Sequence, residues 1–232
     1  FTTAPSLSFD VSRLTGVSFN SVFSSANTIS SWRNGSGTDD NLSNSVPIGF
    51  GFQYQGVSCT SVLVSTNGFI TFNTGTASNG SSTASYTYQN SALSASDASK
   101  SVAVLAPFWE DLWCQGNNNL QAGLNSSVRY LTTGTSPNRV FTVEWQGMET
   151  QLITGSDLNF QVRLYESTNV IEYVYGTMTG FFGNINRGTA PLLSYSLGMS
   201  AWNVSGTSTV GEVITQQVHN TRYFKDSTAK AV

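Results

Sequence analysis

Three groups of side chains in this sequence could do chemistry. Asp39, Asp40 and Asn41 are consecutive in a polar stretch and offer only oxygen ligands. Such a set suits a hard cation, and calcium is the structural cofactor it would take. The plainer reading is turn formation, which Asp and Asn favour through bonds to nearby backbone. Trp109, Asp111 and Trp113 form the second group, in which two indole rings flank a carboxylate. That combination could stack against and hydrogen-bond a glycan, or simply pack on the rim of a sheet. The third group is Cys59 and Cys114, the only two cysteines. They form either one disulfide or two buried thiols, because spacing alone does not bring their Cα atoms within reach. A bridge would stabilise by about 4 kcal/mol in the chain-entropy model and would imply an oxidising compartment.

Catalysis finds little support in these residue types. Glu110 and Asp111 are adjacent, so on a strand they would point to opposite faces and could not share a substrate. Glu144, Glu149, Glu166 and Glu172 lie in or beside strand-like stretches, where solvent exposure is the expectation. A glycosidase built from them is the weakest of three function classes. His219 is the only histidine, so a histidine metal cluster is excluded. There is no G-x-S-x-G nucleophile elbow either. The expectation is a protein that is not an enzyme.

Composition narrows the partners. Only 10% of residues are charged, against about 25% in average soluble proteins. The polar surface must come from Ser, Thr, Asn, Gln and Gly, as in extracellular β proteins. A net charge of −3 gives no nucleic-acid footprint. No window approaches the roughly 18 apolar residues of a membrane span. A hydrophobic content of 39% with 14 Phe is enough for a packed core. The sequence opens on Phe1 rather than Met, from which a processed N-terminus and a secreted, cell-surface location are expected.

The elements that must position these residues read as strands. Phe141, Val143 and Trp145 alternate with polar residues, as do Phe160, Val162 and Leu164. With Ser167 and Thr168 as the turn, Leu164 faces Ile171, Val162 faces Tyr173 and Phe160 faces Tyr175 on one side of a hairpin. The same register sets Arg163 opposite Glu172 on the outer side. Val46 to Tyr54 places Ile48, Phe50, Phe52 and Tyr54 on one face, with Pro47 suited only to an edge. Further strands are expected at 6–12, 16–23, 61–65, 69–72, 102–105, 128–131, 139–145, 192–199 and 221–224. Long polar excursions fall at 24–45, 74–100, 115–125 and 177–191, with one helical turn near Ala95 to Lys100. A dozen short strands without helical periodicity predict an all-β, antiparallel two-sheet sandwich of jelly-roll type, as one domain over 1–232.

Ser65-Thr66-Asn67-Gly68-Phe69, Ala106-Pro107-Phe108-Trp109-Glu110-Asp111 and Phe141-Thr142-Val143-Glu144-Trp145 together resemble the nidogen-like extracellular domain. The variant with Asp-Asp-Asn before a Pro-Ile-Gly-Phe strand is similar to segments of large secreted proteins of Bacteroidota. The resemblance covers about 38–176 and implies an extracellular β domain for adhesion or architecture, with no catalytic residues to carry over. Asn34, Asn41, Asn79, Asn125 and Asn203 head N-x-Ser sequons, and Asp226-Ser227-Thr228 resembles a short bacterial O-glycosylation signal. Leu7, Phe9 and Val11 alternate like a strand that could complete a neighbour's sheet, so segment 1–23 is a candidate for exchange between subunits. The function expected is a self-associating structural protein of a surface filament or matrix. Adhesion to a glycan or other cell-surface partner is the alternative.

Overall fold

The computed structural model describes residues 12–29, 31–33, 39–74, 103–114, 126–150, 153–179, 194–199, 214–219 and 228–231. Among them there are fourteen strands and no helix. In chain order these are β1 (Ser12–Thr15), β2 (Asn27–Thr28), β3 (Val46–Tyr54), β4 (Val57–Val64), β5 (Ile70–Thr71), β6 (Val104–Trp109) and β7 (Leu112–Trp113). They continue with β8 (Ser127–Thr133), β9 (Val140–Thr150), β10 (Ile153–Tyr165), β11 (Ile171–Thr179), β12 (Ser194–Met199), β13 (Ile214–His219) and β14 (Thr228–Ala231). One sheet runs β1-β14-β11-β10-β9-β8-β2, with β7 also paired to β9. The other runs β13-β12-β6-β5-β4-β3. Every pairing is antiparallel. The all-β, two-sheet expectation holds.

The central hairpin takes the register that its apolar alternation dictates. Leu164 pairs with Ile171, Val162 with Tyr173, Phe160 with Tyr175, and Arg163 with Glu172. A slip of one residue would send all six apolar side chains to the wrong face. The loop is longer than a two-residue turn, and Asn169 adopts φ 53°, a left-handed conformation that Asn tolerates better than most residues. β8 pairs along β9 from Ser127↔Gln146 to Thr133↔Val140, so the strands expected at 128–131 and 139–145 are antiparallel neighbours.

One continuous apolar core lies between the sheets. It includes Ile48, Phe52, Tyr54, Phe72, Phe108, Phe141, Trp145, Phe160 and Tyr173, each 3% exposed or less. The Trp145 and Phe160 rings stack with centroids 5.1 Å apart, and Phe108 meets Phe160 at 5.6 Å. The polar tips of core aromatics find partners across the sandwich, as burial requires. Tyr175 Oη donates to the Pro107 carbonyl at 2.7 Å, and Trp145 Nε1 donates to Ser65 O at 2.8 Å.

The edges are treated differently. β3 is outermost in its sheet, which is why Pro47 fits there. Outward backbone groups of β3 are met by side chains of the opposite sheet and of two of its connecting loops. Thr132 Oγ1 donates to Ile48 O, Arg139 Nη1 donates to Gly49 O, and Asn169 Oδ1 accepts from Gln53 N–H.

Several local expectations need correction. Residues 16–23 form no strand; instead they cross the outer face of the eight-stranded sheet. Ser21 Oγ and Val22 N–H donate to Glu144 at 2.6 and 2.7 Å, and Gln161 Nε2 donates to Asn20 O and to Glu144. Arg129 donates to Phe23 O and lies 3.6 Å over the Phe23 ring. This strap buries the outer face, so Glu144 and Gln161 are both 0% exposed. The Arg163–Glu172 pair is likewise only 14% and 12% exposed, with Tyr165 Oη donating to the same carboxylate. β11 continues through Thr179, where a loop was expected, and β13 and β14 are strands without an apolar alternation that announced them. The strand expected at 221–224, the helical turn near 95–100 and the excursions at 75–100 and 115–125 lie outside the described residues.

Candidate metal centre

The two groups of acidic residues singled out in the sequence meet in space. One carboxylate oxygen from each of Asp39, Asp40 and Asp111 lies within 4.8 Å of the others. The meeting is arranged by the Ser65-Thr66-Asn67-Gly68 turn that follows β4. Ser65 N–H closes the turn on Phe69 O at 2.8 Å. Gly68 sits at φ +79°, and a Cβ there would lie 1.8 Å from the Phe108 carbonyl oxygen. Only glycine permits that approach. It lets Phe108 N–H reach Gly68 O and Glu110 N–H reach Asn67 O, both at 3.3 Å.

Asn67 is the hub. Its Oδ1 accepts from Leu112 N–H at 2.9 Å, and its Nδ2 donates to Asp40 Oδ1 at 2.8 Å. One buried amide therefore holds the acidic segment and the turn after β6 together. Thr66 completes the mould, since its hydroxyl donates to Asp39 O and accepts from Asn41 N–H. Thr66 N–H donates to Asn41 O at 3.1 Å. Asn41 itself is 1% exposed, and its Oδ1 caps Leu42 N–H. The N-x-Ser sequon at Asn41 is therefore inaccessible in the fold. Asp39 Oδ1 accepts from Asp40 N–H at 2.8 Å.

Among the described residues no lysine or arginine pairs with any of the three carboxylates; the ion pairs there are Arg139–Glu166 and Arg163–Glu172. Burial pushes the Asp111 carboxyl up to about 7, with the charges of Asp40 and then Asp39 adding to the shift. Burial also raises Asp40, partly offset by the Asn67 amide, and Asp39 adds to the rise. Asp111 keeps 8% of its surface, and its Oδ1 is buried without a hydrogen-bond partner. Chemically, such a set can hold a hard divalent cation through oxygen.

The remaining candidates fare differently. Trp109 is 3% exposed and packs on Phe69 at 5.0 Å, in a small cluster with Leu42, Leu63, Val104 and Ala106. It is not a stacking platform for a glycan, because β6 turns its ring against the sheet. Trp113 is half-buried beside β9, with its Nε1 buried and unpartnered. Cys59 and Cys114 are buried free thiols rather than a disulfide. Cys59 contacts Val57 O at 3.6 Å and Cys114 contacts Met148 Sδ at 3.7 Å. Glu144 and Glu149 are buried, not exposed. Leu7, Phe9, Val11, Asn34 and Trp202 lie outside the described residues, and of His219 only the backbone, in β13, is described. The sequence reading missed Asn67 as an organiser; its place in a tight Asn-Gly turn between two strands was the available signal.

A family model described as NIDO related matches residues 8–230. The match reaches well beyond 38–176 on both flanks. No curated protein and no solved structure matches the chain.

Proposed function

The chain belongs to the nidogen-related (NIDO-related) family, and from that premise we propose that it is a non-enzymatic extracellular protein that self-associates in a surface filament or matrix. The supporting observation is the asymmetry of the sheet edges. β3 is closed by three side-chain hydrogen bonds from the opposite side of the sandwich. At the far end of the same sheet β13 pairs with β12 alone among the described residues. An edge with free N–H and C=O groups can accept a strand from another copy. Ser12–Thr15 pairs with Thr228–Ala231 of the same chain. The donated-strand form of the idea is therefore confined to residues preceding Ser12, and β13 becomes the preferred acceptor.

The acidic side chains support the non-enzymatic part of the reading. Glu144, Glu166 and Glu172 each accept bonds that join separate segments, namely the strap, the 136–139 turn and the central hairpin. They hold the fold together. No helix of the described residues is long and apolar enough to cross a membrane. Light scattering and negative-stain microscopy over a wide concentration range test the proposal. Growing assemblies with fibrous or sheet-like order are the expected result. A strictly monomeric protein at high concentration would overturn it.

A further inference from the structure

We propose that Asp39, Asp40 and Asp111 form a calcium site that clamps the segment before β3 to the turn after β6. The inference starts from Asp111 Oδ1, a buried oxygen with no hydrogen-bond donor on a residue that keeps 8% of its surface. A buried carboxylate in this position must be neutralised, paired or coordinated, because an isolated buried charge is strongly unfavourable. Pairing is not provided within the described part of the fold. The neighbours aimed at Asp111 are two further carboxylates, which make ionisation harder and a cation more welcome.

The ligand chemistry selects the ion. All three groups are hard oxygen donors, and neither cysteine belongs to the cluster, so a soft metal has nothing to bind. Calcium accepts six to eight oxygens at about 2.3–2.6 Å in irregular geometry. A coordination sphere of about 2.4 Å radius spans about 4.8 Å across, so oxygens within 4.8 Å of one another can share it. Magnesium requires a tighter octahedron near 2.1 Å and releases its waters reluctantly. The residues around the three carboxylates are held by hydrogen bonds of their own. Asn67 fastens Asp40 from one side and Leu112 N–H from the other, and Thr66 holds the Asp39 backbone. Coordination would add a second fastening between the same two segments, which binding to the folded state alone converts into stability. The site stands independently of the extracellular reading.

Calorimetric titration of chelator-treated full chain with calcium chloride, paired with thermal unfolding, tests the site. One calcium per chain and a Tm raised by several degrees are expected. The affinity should be weak, about 10⁻⁴–10⁻³ M, because the three carboxylates supply only part of a six- to eight-oxygen sphere. Asp111→Asn and Asp39→Asn should each abolish both signals. In chelator Asp111→Asn should remain folded with a Tm at or above that of the unaltered chain, since it removes charge repulsion. Absence of heat and of a Tm shift up to about 10 mM calcium, above that range, would overturn the proposal. So would an undiminished response in Asp111→Asn, an equal response to magnesium, or a D111N chain that unfolds in chelator where the unaltered chain does not.

Discussion

Glu144 and Asp111 are both buried carboxylates, and the chain treats them in opposite ways. Glu144, on the outer face of β9, is 0% exposed and accepts from Ser21 Oγ, Val22 N–H and Gln161 Nε2. Its charge is answered by a segment more than a hundred positions earlier in sequence, laid across the sheet. Asp111 also lies against a turn, but what faces it are Asp39 and Asp40, and its Oδ1 has no donor. The difference separates two ways of retaining buried charge. One is completed within the fold and serves to fix the N-terminal strap. The other is left open to a cation from solution.

The comparison can be broken most severely at the turn beneath Asp111. Gly68→Ala sets a Cβ against the Phe108 carbonyl at a positive φ, so a loss of about 4 kcal/mol is expected in urea unfolding. That loss should persist in calcium, because the turn itself fails. Glu144→Ala leaves three donors without their acceptor and should cost about 3 kcal/mol, with early hydrogen exchange at Val22 as its signature. The loss should be the same with calcium or chelator. Asp111→Asn should do the reverse of Glu144→Ala and stabilise the metal-free protein by about 1 kcal/mol at pH 8, read from chemical unfolding in chelator.

Acidity sharpens the same contrast. Asp111 has its folded-state value raised from 3.8 to about 7, so the native state binds the extra proton between those values. In chelator its contribution is therefore fully present below about pH 4 and is lost as pH rises through about 7. The unaltered chain minus Asp111→Asn should show that slope in urea unfolding across pH. Glu166 has the opposite sign. The Arg139 guanidinium, first by hydrogen bonding, lowers its carboxyl from 4.5 to about 2. Its stabilisation is present above about pH 4.5 and is lost as pH falls through about 2. Glu166→Gln should remove that acid-side slope, the smallest of these effects because the pair lies at the surface.

Where burial follows a period of two, the sequence was legible. The β3 alternation and the register of the β10–β11 hairpin follow directly from the placement of Ile48, Phe50, Phe52, Phe160, Val162 and Leu164. The acidic site was half legible. Asp39, Asp40 and Asp111 stood out by type, but sequence separation hid that Asn67 joins them. The strap was illegible for a related reason. Residues 16–23 look like a strand, and nothing local says that a carboxylate on β9 will take the Ser21 and Val22 donors instead of a neighbouring ladder. Trp109 misled because an aromatic beside a carboxylate reads as a binding face, whereas the pleat of β6 turned it onto Phe69.

The most direct test of the central claim is crystallographic, with crystals grown in calcium and data collected for its anomalous signal. The account predicts a peak between Asp39, Asp40 and Asp111, with at least one oxygen of each at about 2.3–2.6 Å and the Asn67 bridge intact. Density at that position with the spacing of ordinary water, near 2.8 Å and without anomalous signal, would contradict it.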